Sequence, residues 1–228
     1  MRRFLLFLSL LSLAAAVARA EAADWTACRR AIAAVEPGSG LPPGLLTAIA
    51  LVESGRTNPS RSRLEPWPWA YNLEGESRFA ASRAAAVAEV AALRAAGRQS
   101  IDVGCMQINL LHHPQAFRNL SEAFDPMANV RYAAAFLRDL RARTGDWAKA
   151  IANYHSATPE HGLAYHRRVA LARIGAAVSA GGPIPLPPAA GRGLCAAGLT
   201  PMLVVRRTAA ARKAPARPQV VCRRPRRP

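Results

Sequence analysis

The reading of this chain turns on Leu41-Pro42-Pro43-Gly44-Leu45-Leu46-Thr47-Ala48-Ile49-Ala50-Leu51-Val52-Glu53-Ser54-Gly55. Leu45, Ile49 and Val52 recur at i, i+4 and i+7, the spacing of one buried face of an α-helix. Pro42 and Pro43 fit a first turn, where an amide hydrogen has no partner inside the helix. Gly55 stops the run. The predicted helix, Leu41 to Ser54, therefore ends beside a carboxylate. Glu53 borders the apolar face at the negative end of the helix dipole, and both features disfavour its ionised form. That pushes its pKa toward the range of a general acid at neutral pH. Taken alone, a water-exposed glutamate at a helix end is the simpler reading.

The segments on either side are mostly helical. Asp24 to Val35 reads as a short helix closed by Pro37-Gly38-Ser39-Gly40. Ser82 to Ala96 reads as a helix capped by Ser82 and closed by Gly97. Asp125-Pro126 opens a strong helix, with an acid at the N-cap and proline behind it. Its residues Val130, Ala133, Ala134, Leu137 and Leu140 form one apolar stripe, ended by Thr144-Gly145. Asp146 starts another helix through Tyr154, and Thr158-Pro159 starts the last, through Val178. Between Arg56 and Phe79 the helical period is lost. Trp67, Trp69, Tyr71 and Leu73 alternate, and Glu74-Gly75 is a turn signal, so this region predicts a single small hairpin. The fold class expected is a mixed α+β domain, mainly helical, with a β-hairpin lobe.

The 228 residues carry 31 Lys and Arg against 14 Asp and Glu, a net charge of +17, and are 51% hydrophobic. Such a chain is too short for several large domains and too apolar to be disordered throughout. Residues 1–20 read as a secretory signal peptide: Met1-Arg2-Arg3, an uncharged apolar run from Phe4 to Val17, and Ala18-Arg19-Ala20 as a cleavage site. The run is shorter than the ~20 residues needed to span a bilayer. Export to the periplasm or cell envelope is the localisation expected. Cleavage after Ala20 would take three of the 31 basic residues and leave +14. Ten of those charges lie in residues 181–228, which hold no acid and nine of the 18 prolines. This segment is expected to be a largely disordered tail, beyond a domain at 21–180.

Four cysteines in an exported chain make disulfides available. Cys28–Cys105 is the favoured pair, Cys195–Cys222 is given lower weight, and a free buried Cys105 stays open. No Cys or His cluster has the spacing of a zinc site, so neither metal nor cofactor is expected.

Two further patches bear on Glu53. Gly104-Cys105-Met106-Gln107-Ile108-Asn109 joins small, amide and apolar residues, and Ala150-Ile151-Ala152-Asn153-Tyr154-His155 gathers amide, phenol and imidazole groups near a helix end. Amides and aromatic rings suit a neutral sugar, giving hydrogen bonds to hydroxyl and acetamido groups and flat faces for stacking. In this order the three segments resemble the soluble lytic transglycosylase family. Glu53-Ser54 follows an apolar helix, Gly104 to Asn109 stands for the family's G-L-M-Q-[IL]-N, and Ala152-Asn153-Tyr154-His155 for A-x-Y-N. Asn129 to Leu140 resembles the family's N-[IV]-x-x-[AG]-x-x-Y-L helix, with Phe136 in place of tyrosine. The likeness covers roughly residues 40 to 175, as one compact domain would. Cys105 replaces leucine and His155 replaces asparagine, so one sugar contact is expected to differ.

The resemblance implies a lysozyme-like domain that cleaves the β-1,4 bond between N-acetylmuramic acid and N-acetylglucosamine in peptidoglycan, leaving a 1,6-anhydro end. Glu53 would be the catalytic acid and then base. Ser54, Met106, Gln107, Asn109, Asn153, Tyr154 and His155 would bind the sugar, with Tyr154 touching it or steadying Glu53. Trp67, Trp69 and Tyr71 are candidates for stacking on sugar, with packing of the hairpin an equal alternative.

Two other readings stay open. A hydrolytic lysozyme needs a second carboxylate, for which Asp102 is the first candidate, followed by Glu74 and Glu76. A non-catalytic binding protein would use the basic tail to hold a polyanion, since charge alone does not choose among anionic partners. The tail has no aromatic residue for base stacking, so nucleic acid is not the expected partner. Peptidoglycan strands are, together with an anionic envelope polymer or membrane surface for the tail. A secretion or conjugation machine is a further candidate partner.

Overall fold

The computed structural model describes residues 24–179, 184–185, 195–196, 199–205 and 218–224. The expected signal peptide lies outside the described residues. Helix α1 covers residues 24–35 and α2 Leu45–Ser54. Helix α2 begins later than the apolar spacing suggested because Gly44 adopts a left-handed conformation, φ 77°. The turn before it is closed by Glu36, whose carboxylate accepts the Gly44 amide at 2.9 Å and the Leu46 amide at 3.0 Å. A carboxylate at this end of a helix satisfies orphan amides and suits the dipole. Leu45, Leu46, Ala48, Ile49 and Ala50 are fully buried, so α2 runs through the core and brings Glu53 out at its end.

The region expected to form one hairpin forms two. Strands β1, Gly55–Asn58, and β2, Arg63–Pro66, pair antiparallel. Strand β3, Ala70–Leu73, pairs with β4, Glu76–Phe79, across the Glu74-Gly75 turn. Strand β3 also pairs with β5, Ile101–Val103, which pairs with β6, Ile108–Asn109, in a sheet of order β4-β3-β5-β6. The first turn was missed because residues 59–62 carry no Asn-Gly or Asp-Gly signal. A buried carboxylate ties this hairpin down: Glu65, 2% exposed, is paired with Arg29 of α1 and Arg63. Beside it the Arg56 guanidinium lies 4.8 Å from the Trp67 ring centre, a cation–π contact.

Helix α3, Arg83–Ala95, is capped by Ser82. A short α4, Leu120–Ala123, precedes α5, Pro126–Thr144, where Asp125 accepts the Ala128 amide and Gly145 closes the end at φ 68°. Asp146 caps α6, Trp147–His155, and α7 is Pro159–Ser179. The stripe read from sequence on α5, Val130 to Leu140, is buried throughout. Trp67, Trp69 and Tyr71 are buried in a core with Trp25, Ile101, Val103 and Phe124. Packing, not sugar stacking, is their role here. Trp67 donates to the Ala80 carbonyl and Tyr71 to the Glu89 carboxylate.

One compact unit ends at Val169 and a second begins at Ala170. Helix α7 outlasts its own buried face: Tyr165 and Val169 are buried, whereas Leu171 is 70% exposed. Most of the segment expected to be a disordered tail lies outside the described residues. Strands β7 (Ile184–Pro185), β8 (Thr200–Val205) and β9 (Pro218–Arg223) form an antiparallel sheet of that order, and Cys195 is bonded to Cys222. Proline and arginine dominate the tail's average composition and mask the β-prone runs Met202 to Val205 and Val220 to Cys222. Among the described residues no helix is long and apolar enough to cross a membrane.

Candidate active site

A cleft of about 600 Å³ opens at the end of α2, with Val52 and Glu53 in its wall. Its second wall is the sheet. Ser77 pairs with Asn72, Asn72 with Asp102, and Asp102 with Asn109, so one polar residue from each strand stands in a row across β4-β3-β5-β6. All four line the cleft. Their sequence neighbours Tyr71, Leu73, Ile101, Val103 and Ile108 are buried, which is the alternation expected of a sheet with one wet face. Cross-strand bonds join the row: Asn72 donates to Ser77 at 3.3 Å and Asn109 to Asp102 at 2.9 Å.

The loop from Gly104 to Gln107 fixes the remaining amide. Gly104 and Gln107 both have positive φ, 81° and 49°, and the Gly104 amide donates to the Ala70 carbonyl. Gln107 spends its amide nitrogen on the carbonyls of Ala70 at 3.1 Å and Gly104 at 2.9 Å, which holds the side chain in the cleft wall. Fully buried Asn129 donates to the carbonyls of Val103 and Ala123 and accepts the Met106 amide at 2.8 Å. The Ser54 hydroxyl donates to the Cys105 carbonyl at 2.7 Å, and the Tyr154 hydroxyl to the Met106 carbonyl at 2.8 Å. Cys105 itself is bonded to Cys28 of α1.

A Cβ added at Gly104 would lie 2.5 Å from the Asn129 amide nitrogen, on top of the left-handed backbone. Gly104→Ala is therefore expected to cost about 2–4 kcal/mol. Urea unfolding that shows a loss under 1 kcal/mol would contradict this account of the loop.

The third wall comes from the C-terminal helices. Tyr154, His155 and Arg168 line the cleft, and fully buried Tyr165 lies behind them. The Tyr165 hydroxyl donates to Glu53 Oε1 at 2.5 Å. His155 stacks on the Tyr165 ring at 4.7 Å, and the Arg168 guanidinium sits 5.6 Å from its centre.

Burial pushes the Glu53 carboxyl up to about 7, and the Asp102 charge adds to it, while the Tyr165 hydrogen bond and Arg168 oppose. A carboxyl at that value can both give and take a proton at neutral pH. Asp102 is also raised, first by burial, with the Asn109 bond and His112 opposing. The hydroxyls of Tyr154 and Tyr165 are pushed well above their usual value, mainly by burial, so both remain donors. Burial lowers His113 and His155, which favours their neutral form.

Of the residues singled out in the sequence, Glu53, Gln107, Asn109, Tyr154 and His155 meet in this cleft. Ser54 and Met106 do not: both are buried, because the side chains next to Glu53 and Gln107 point into the core and serve the loop through Ser54 Oγ and the Met106 backbone. Asn153 is exposed outside the cleft lining, since the face of α6 that carries Tyr154 turns it away. Of the three further acids weighed, Asp102 alone lines the cleft; Glu74 pairs with Arg98 and Glu76 with Arg78. The sequence reading missed Asn72, Ser77, Tyr165 and Arg168. Strand alternation around Asn72 offered a signal for the first two, and nothing in the sequence of α7 marked the others.

The family model described as Transglycosylase SLT domain matches residues 30–168, a span that ends at the cleft arginine. No curated protein and no solved structure matches the chain.

Proposed function

Because the chain belongs to the transglycosylase SLT domain family, whose members act on peptidoglycan outside the cytoplasm, we propose that it is a lytic transglycosylase with Glu53 as its catalytic residue. Protonated Glu53 gives its proton to the glycosidic oxygen while the 2-acetamido group of the muramic sugar assists at the anomeric carbon, as in substrate-assisted glycosidases. The resulting carboxylate takes the proton of the muramic O6 hydroxyl, and O6 closes on the anomeric carbon to give the 1,6-anhydro ring. One carboxyl serves both steps. Gln107, Asn109 and the row Ser77, Asn72 and Asp102 hold the sugars by hydrogen bonds, with Tyr154 and His155 on the opposite wall. The observation that carries this reading is the position of Glu53: half-buried in a polar cleft, bonded to Tyr165 and raised to about 7.

Asp102 in the same cleft favours a second reading, a hydrolytic lysozyme. Two-carboxylate hydrolysis needs pKa values driven apart, one acid protonated and one ionised. Glu53, raised to about 7 beside the charge of Asp102, meets that condition, so the two routes are told apart by the new end of the product. Release of soluble muropeptides from purified sacculi tests the shared premise, and no release above an enzyme-free control would overturn both. The signal peptide expected at residues 1–20 fits work done in the periplasm or cell envelope. The basic tail fits an anionic wall polymer or membrane surface, and local wall opening for a secretion or conjugation machine suits a catalytic domain of this small size.

Tyr165→Phe has a directional consequence. The hydroxyl opposes the raised pKa of Glu53, so its removal moves that pKa further up. The alkaline limb of kcat/KM, which reports the free enzyme's acid, is expected to shift to higher pH. A limb that stays in place or moves down would contradict the assignment.

A further inference from the structure

Among the described residues lining the cleft, Arg168 is the only lysine or arginine. No carboxylate of the described residues lies within ion-pair distance of it, and its side chain is exposed. It rests against the Tyr165 ring, 5.6 Å from the centre, and Tyr165 in turn bonds to Glu53. A fixed cation here works against a proton-donating Glu53, whose pKa it lowers. It also lowers that of His155. A charge that opposes the local chemistry, and whose contact within the protein is the face of an aromatic ring and not a carboxylate, is open to a carboxylate from outside. The hydroxyl and acetamido groups of the glycan are neutral and need no cation. The acidic groups of the substrate are carboxylates on the lactyl arm of the muramic sugar.

We propose that Arg168 selects carboxylate-bearing glycan, its planar guanidinium receiving a carboxylate carried by the muramic lactyl arm, either the free lactyl acid or one on the peptide attached there. This rests on the peptidoglycan reading above. Arginine suits the task because its fork binds both oxygens of a carboxylate, which a lysine cannot copy. Occupancy by that carboxylate also removes the pull of Arg168 on Glu53, so the acid is restored when the proper substrate is in place.

The test compares wild type, R168Q and R168K on peptide-free GlcNAc–MurNAc oligosaccharides, on the same sugars with their lactyl carboxyls amidated, and on peptide-bearing chains with free or amidated peptide carboxyls. In wild type, amidation is expected to lower kcat/KM by about tenfold or more, the worth of a hydrogen-bonded charge pair. In R168Q that discrimination should collapse toward one, and R168K should keep part of it. Discrimination confined to the peptide-free pair assigns the anchor to the lactyl acid; discrimination confined to the peptide-bearing pair assigns it to the peptide. Equal cleavage of acid and amide by wild type overturns the anchor, as does R168Q that discriminates as wild type does. A wild type that cleaves none of these glycans overturns the peptidoglycan reading, and the anchor with it.

Discussion

Glu53→Gln is expected to lower turnover on peptidoglycan by at least the ~10²–10⁴-fold that a positioned acid contributes. The amide keeps the shape and still accepts the Tyr165 hydroxyl bond, but it has no proton to give the leaving oxygen and cannot take one from O6. The same change should affect stability in the opposite sense. The folded pKa of Glu53 is raised from 4.5 to about 7, so the stability linked to its proton is fully present below about pH 4.5 and is lost as pH rises through about 7. Glutamine has nothing to lose. At pH 8 the variant should be more stable than wild type by up to about 3 kcal/mol, and the gap should close toward pH 5. Denaturant unfolding at the two pH values checks the sign. Turnover near wild type would remove Glu53 from the mechanism, and an unchanged stability gap would mean that it is not buried as described.

The second large effect concerns the Cys28–Cys105 bond, which joins positions 77 apart in sequence. Closing a loop of that length restricts the unfolded chain by about 4 kcal/mol in the chain-entropy account. The C28A/C105A double variant should therefore lose roughly 8–16 °C in Tm for a domain of this size. Activity should fall at temperatures where the fold survives, because Cys105 lies in the loop that presents Gln107. A loss of less than about 2 °C would show that the loop is held by Asn129, Ser54 and Tyr154 without help from the bond.

The parts of this architecture that were legible in the sequence are those written over short distances. Ser82, Asp125 and Asp146 stand at helix starts because each side chain caps an amide three residues on, a relation visible in four consecutive residues. The α5 stripe and the position of Glu53 beyond an apolar run are equally local. The wall made by Ser77, Asn72, Asp102 and Asn109 is not, since it exists only once three strand pairings fix one register. Tyr165 meets Glu53 across a separation of 112 residues, and no local pattern announces such a contact. Ser54 and Met106 show the converse: both lie in the motifs, and both are buried outside the cleft lining. A motif marks a stretch of chain, and alternate side chains in that stretch turn inward and hold the loop. In the tail, average composition concealed two short runs able to pair as strands.

The central claim is that the muramic O6 hydroxyl, activated by Glu53, attacks the anomeric carbon in place of water. Mass spectrometry of the muropeptides released from purified sacculi in H₂¹⁸O tests it most directly. The account predicts soluble products one water lighter than the hydrolytic ones, with no ¹⁸O at the new muramic end and no such products from Glu53→Gln. Reducing ends that carry ¹⁸O would contradict it and would make Asp102 the partner of Glu53 in a hydrolase.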